Sequence, residues 1–285
     1  MDTSWLEDLP IDGIREVIEV SGGDVNQAYR LKGEAADYFL LLQANRTEDF
    51  FASEIAGLNA FASAGIRAPK VLASGRLDQA AYLLLEFLEE GHGSQKDLGQ
   101  LVAKLHRQYQ ADGQFGFHLP HHGGAISFDN QWTSSWSEFL VEGRLDKLRD
   151  ALLAKGRWTS YEGDLYEAVR QHILQELAQH ESKATLLHGD LWSGNFMFLT
   201  DGSPALFDPS PFYGDREFDI GITTVFGGFN QDFYDAYQSS YPLATGWQKR
   251  IHYYRLYLLL VHLDKFGASY AISVKHELET ILSNA

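Results

Sequence analysis

The chain has 285 residues, 45% of them hydrophobic and 22% charged, which excludes wholesale disorder and fits one large domain or two smaller ones. It has no cysteine, so disulfides, cysteine-ligated metal centres and a thiol nucleophile are excluded. Lysine and arginine number 23 against 39 acidic residues, a net charge of −16, and no basic run would attract a nucleic acid or an anionic membrane. The opening Met1-Asp2-Thr3-Ser4-Trp5-Leu6-Glu7-Asp8 does not read as a signal peptide, and no apolar stretch reaches the ~18 residues of a membrane span. A cytoplasmic protein acting on small molecules is expected, its oligomeric state left open.

The first ninety residues read as strands and one helix. Residues 13–20 and 27–32 form a strand pair around the turn Ser21-Gly22-Gly23-Asp24, and Tyr38-Phe39-Leu40-Leu41-Leu42 is a short apolar run of strand length. Phe51, Ile55, Leu58 and Ala62 then share one helical face, with Asn45 and Glu48 spaced as a capping box. Residues 70–73 and 81–85 read as two more strands. After Glu86-Phe87-Leu88-Glu89-Glu90-Gly91 the pattern turns helical. Leu98, Leu101, Val102 and Leu105 give one apolar face, Leu165, Val169, Ile173 and Leu177 another, and residues 253–263 are apolar all round, as in a buried helix. Residues 111–160 show little periodicity and read as an insertion or lid. The expected architecture is α+β: a small antiparallel-sheet lobe with one helix over 1–88, and a larger, mainly helical lobe over 89–285.

The strongest chemical signal is Leu186-Leu187-His188-Gly189-Asp190-Leu191-Trp192-Ser193-Gly194-Asn195, followed by the strands Phe196-Met197-Phe198 and Ala205-Leu206-Phe207, the latter ending at Asp208. Alone, an Asp and an Asn five apart in a glycine-containing loop are ordinary turn formers. Joined by a second Asp after the next hairpin, they match the arrangement that phosphoryl transfer requires. One Asp accepts the hydroxyl proton, while Asn and the second Asp supply hard oxygens to a cation beside the phosphates. No Walker, dinucleotide-fingerprint, HExxH or GxSxG motif is present.

These residues, with Phe207-Asp208-Pro209-Ser210-Pro211-Phe212-Tyr213-Gly214-Asp215-Arg216-Glu217-Phe218-Asp219, resemble the fructosamine kinase (ketosamine-3-kinase) family. Val225-Phe226-Gly227-Gly228-Phe229, His262-Leu263-Asp264-Lys265-Phe266-Gly267, Ser21-Gly22-Gly23, Phe115-Gly116-Phe117-His118 and the stretch Trp132–Trp136 carry the resemblance over nearly the whole chain. It implies a two-lobed protein-kinase-like fold, shared with aminoglycoside phosphotransferases and choline kinases. It also implies ATP- and Mg²⁺-dependent phosphorylation of the 3-hydroxyl of ketosamines, free or on glycated amino acids and proteins, as a step in deglycation.

By that resemblance Asp190 is the base and Asn195 and Asp208 the metal ligands. Ser21, Gly22, Gly23 and Asp24 would cover the phosphates, and the backbone of Glu86 and Leu88 would meet adenine. Asp219 would steady the catalytic loop, its competing role being a helix N-cap. One departure stands out: Leu41 occupies the strand position where a phosphate-binding lysine, paired with Glu54, is expected. Gln43 shares its strand face and is a substitute donor. For substrate, Trp192 and Trp132 offer faces for stacking on a sugar, as do Trp136, Tyr213 and Phe226, and Asp215 and Glu217 could meet a ketosamine amine. Core packing and a solvated charge cluster are the competing readings. His118, His121 and His122 read as a polar loop rather than a metal site. Two other functions compete with an active ketosamine kinase: an impaired pseudokinase, motivated by Leu41, and a kinase of the same fold acting on an aminoglycoside or amino alcohol.

Overall fold

The computed structural model describes residues 4–20, 26–123 and 126–284, so the Ser21-Gly22-Gly23-Asp24 turn lies outside the described residues. The chain divides into two compact units, Met1–Gly93 with Met197–Phe207, and Ser94–Phe196 with Asp208–Ala285. Among the described residues no helix is long and apolar enough to cross a membrane.

The first unit holds a five-stranded antiparallel sheet in the order β1-β2-β3-β5-β4. Its strands are β1 (Ile14–Val20), β2 (Gln27–Gly33), β3 (Asp37–Ala44), β4 (Val71–Leu77) and β5 (Ala80–Glu86), with helix α1 (Ala52–Ser63) between β3 and β4. Strand alternation sorts β3 into two faces. Leu40 and Leu42 enter a buried cluster with Leu9, Tyr29, Leu31, Leu77, Tyr82 and Leu84, while Phe39, Leu41 and Gln43 take the opposite face and stay partly exposed.

The capping box expected at Asn45 and Glu48 is absent. Asn45 takes a left-handed conformation (φ 57°) as β3 ends, and a 3₁₀ turn, Glu48–Phe51, precedes α1. That tighter turn shifts the phase of the apolar face. Phe51, Leu58 and Phe61 are buried, and Ala62 is exposed.

The second unit is built mainly from helices: α2 (Gln95–Leu105), α3 (Trp136–Leu140), α4 (Asp146–Ala154), α5 (Ser160–Gln179), α6 (Glu217–Thr223), α7 (Gln231–Ser240), α8 (Trp247–Phe266) and α9 (Ala271–Ser283). Two-stranded pieces accompany them: β6 (His121–Gly123) with β7 (Ile126–Phe128), and β8 (Thr185–Leu187) with β11 (Phe212–Gly214). The hairpin of β9 (Phe196–Phe198) and β10 (Pro204–Leu206) lies almost wholly in the first unit, where Leu199, Ala205 and Met197 pack on Leu88. As its composition predicts, α8 is the core helix, burying Tyr253, Tyr254, Leu256, Leu260 and Leu263 among others.

The reading of 111–160 as a lid is overturned. Phe115, Phe117, Phe128, Trp136, Phe139, Leu145, Leu148, Leu152 and Trp158 are all buried. Trp136 stacks on Phe139 and Phe212 and donates from Nε1 to the Tyr254 hydroxyl at 3.1 Å. A π-helical turn, Val141–Leu145, brings in Arg144, which stacks 4.4 Å from the ring centres of both Phe128 and Phe139 and donates to Asn130 Oδ1.

Candidate active site

The His188–Asn195 loop leaves β8 at His188, and a carboxylate behind it fixes its course. Asp219 Oδ2 accepts from the His188 backbone N–H at 2.7 Å, and Oδ1 from that of Gly189 at 2.9 Å. His106 Nε2 meets Oδ2 at 3.0 Å, and its Nδ1 meets the Tyr237 hydroxyl at 2.8 Å; an Nε2–H tautomer satisfies both. Asp219 and His106 have no solvent exposure. Asp219 sits two residues inside α6, whose N-cap is Arg216, so the loop-steadying role holds and the N-cap reading does not. His106 escaped the sequence reading, although at four residues past Val102 it continues the buried face of α2.

Beyond Gly189 the chain crosses close to the segment that follows Asp208. Ser210 N–H donates to His188 O at 2.9 Å, and Gly189 (φ 80°) sits so near Ser210 O that a Cβ would overlap it. This crossing brings the two acids within electrostatic reach. Desolvation first, and then the Asp208 charge, push the Asp190 pKa up to about 7, against the opposing effect of the Asn195 amide. Protein crowding on one side raises Asp208 too, with Lys265 opposing, although its residue surface stays open to solvent.

Asn195, 3% exposed, donates from Nδ2 to Asp190 O at 2.8 Å and to Asp190 Oδ2 at 3.1 Å. With its nitrogen committed, the amide has only Oδ1 left for a cation. Asp208, at φ 52°, adds a carboxylate from two residues beyond the end of β10. An amide oxygen and a carboxylate are the hard donors that would suit Mg²⁺, which keeps several waters and needs few protein ligands.

Trp192 and Trp132 are 39% and 40% exposed; the Trp192 ring lies over Gly194, and Trp132 lies 6.1 Å from Tyr213. Trp136 is a core side chain instead. Asp215 and Glu217 are not gathered around Asp190 by any bond. Both are buried: His180 Nε2 meets Asp215 at 2.7 Å, and Arg250 donates to both Glu217 oxygens at 2.7 Å. Burial opposes charge on both; the His180 contact still holds Asp215 below its usual range, whereas Glu217 is raised. The solvated-cluster reading is thus overturned: both carboxylates are buried and hydrogen-bonded. His180, Asp215 and Glu217 bring ligand-type atoms within 4.8 Å of one another, with Arg250 paired to Glu217 and His180 Nε2 bonded to Asp215, each at 2.7 Å.

In the first unit, Leu41 faces Ala28 and Leu83 across the ladder, in an apolar strip beside Gln43. Glu54 lies half-buried in the first turn of α1 and has a partner of its own. Glu86 accepts from Arg67 at 2.9 and 3.0 Å and from the Lys70 N–H at 3.2 Å; the Arg67 bonds above all hold its carboxyl below the usual range. Leu88 is buried through its side chain.

The family model described as Fructosamine kinase matches residues 4–284. A protein of Staphylococcus aureus named probable ketoamine kinase is 57% identical over 285 residues, covering 100% of this chain and 99% of its own length. The crystal structure of a candidate fructosamine-3-kinase from Thermobifida fusca superposes with a TM-score of 0.84 at 28% identity, covering 95% of this chain and 94% of its own. An aminoglycoside phosphotransferase in ternary complex with AMP-PNP and hygromycin B shares the fold at a TM-score of 0.68 and 12% identity, covering 99% of this chain and 97% of its own.

Proposed function

The chain belongs to the fructosamine kinase family, and we propose that it transfers the γ-phosphoryl group of ATP to the 3-hydroxyl of a ketosamine, a fructosamine or ribulosamine, in a deglycation step. It is a phosphotransferase with an alcohol acceptor. The observation that carries the finer reading is the Asn195 amide bonded to Asp190, with Asp208 in electrostatic reach.

Asp190 accepts the proton of the substrate hydroxyl as its oxygen attacks the γ-phosphorus and the bond to the departing ADP oxygen breaks. Asn195 fixes the carboxylate by donating to Oδ2, which leaves Oδ1 of Asp190 for the proton. Asp219 holds the loop through its first two backbone N–H groups. Asn195 Oδ1 and the Asp208 carboxylate would hold Mg²⁺, which when bound neutralises phosphate charge. Trp192 and Trp132 offer exposed faces to a sugar. Gln43 serves as the neutral donor to the nucleotide phosphates on the strand face of Leu41. The kinase names of the relatives lend no support to an impaired pseudokinase.

ADP release over a panel of fructosyl-lysine, ribulosyl-lysine and aminoglycosides tests this. Turnover confined to the ketosamines is expected; turnover on the aminoglycosides alone would replace the proposal.

A further inference from the structure

The Val225-Phe226-Gly227-Gly228-Phe229 stretch plays no part in the chemistry above, yet it lies directly against the catalytic loop. Gly228 takes a left-handed conformation (φ 89°), and a Cβ built on it would overlap the Cβ of Ser193. Its carbonyl accepts from Gln95 Nε2 at 3.0 Å, while Gln95 Oε1 is buried without a partner among the described residues. One residue on, the Phe229 ring lies 5.0 Å from that of Phe196 and 4.8 Å from that of Phe233. The stretch therefore touches the loop on either side of Asn195. Ser193 itself sits inside a turn closed by Asn195 N–H donating to Trp192 O at 3.0 Å, so a displaced Ser193 carries the Asn195 amide with it.

We propose that Gly228, held by Gln95, is a positioning residue: its bare α-carbon sets how far Ser193 can recede, and so where Asn195 meets Asp190. Glycine is required there for space as well as for backbone angle. Gly227 separates the two demands, because it shares the left-handed conformation (φ 78°) while a Cβ on it would meet nothing within 4 Å. The activity readout rests on the phosphotransferase reading of Asp190; the spectroscopic one does not.

The test compares Gly228→Ala, Gly227→Ala and Gly228→Ala/Ser193→Gly in protein labelled with 5-fluorotryptophan, the Trp192 fluorine resonance being identified by its loss in Trp192→Phe. Gly228→Ala is expected to shift the Trp192 resonance in the ligand-free protein and lower kcat on fructosyl-lysine about 10²-fold, the cost of misplacing a reacting group by about 1 Å. Gly227→Ala should lose thermal stability yet keep the wild-type resonance and kcat within about twofold. Removing the Ser193 Cβ should recover most of the loss in Gly228→Ala, a non-additivity expected only of groups in contact. If Gly228→Ala does not fold, Gln95→Leu takes its place, with the same shift and a severalfold fall in kcat. A folded Gly228→Ala with an unmoved Trp192 signal and normal kcat would overturn the proposal. So would an equal loss in Gly227→Ala, no recovery by Ser193→Gly, or an unchanged Gln95→Leu where Gly228→Ala fails. Should no ketosamine be phosphorylated, the Trp192 signal alone decides.

Discussion

Asn195 donates from one nitrogen to both the backbone oxygen and the Oδ2 of Asp190, at 2.8 and 3.1 Å. The residue proposed to hold a cation thus also orients the carboxylate proposed as the base. Five residues of separation on one tight loop are enough to do both, because the turn at Trp192–Asn195 folds the amide back over the aspartate.

Replacing Asp190 with Asn should cost about 10²–10⁴-fold in kcat while the protein still folds and binds nucleotide. The same variant carries a signature in stability. The folded-state pKa of Asp190 is raised from 3.8 to about 7, so between those values the native state binds more protons than the unfolded one, and stability falls as pH rises through that window. Asn cannot ionise and escapes this loss. Relative to wild type, the unfolding midpoint of Asp190→Asn should therefore be higher at pH 8 than at pH 4. Calorimetry without nucleotide or metal checks it; a pH-independent difference would mean that Asp190 titrates normally.

Asp208→Ala should weaken Mg-ATP binding, measured by isothermal titration, and should lower the Asp190 pKa by removing the neighbouring negative charge. Unchanged affinity would leave Asp208 as a strand terminator only.

Asp219→Ala strips three donors of their common acceptor: two backbone N–H groups and the His106 ring. At about 1–3 kcal/mol for each buried donor left unmatched, a loss of at least about 3 kcal/mol in unfolding free energy is expected by denaturant titration. A loss below about 1 kcal/mol would show that the loop holds its course without it.

Gln43→Leu should raise the KM for ATP about 10- to 100-fold, the equivalent of one hydrogen bond to a charged group at about 1.5–3 kcal/mol. An unchanged KM would assign the phosphates to another donor.

What the sequence made legible was local. The loop from His188 to Asn195 is chemistry at short spacing, and α8 announces itself by composition. Long-range pairing was not legible: nothing near Asp215 or Glu217 in the chain names His180 or Arg250 as their partners, so buried ions read as a solvated cluster. Residues 111–160 misled for another reason. Their core contribution comes from aromatic rings on short elements and a π-turn, which leave no 3.6-residue period to detect. His106 could have been found as a polar residue in register with Leu98 and Val102 on an apolar face.

The most direct measurement is ³¹P NMR of the products of ATP and fructosyl-lysine, with wild-type protein and with Asp190→Asn. A new sugar phosphate ester, its phosphorus coupled to the proton on carbon 3, should form in step with ADP in the wild type and be lost in the variant. ADP and inorganic phosphate without an ester, or an ester formed equally well by Asp190→Asn, would contradict the account.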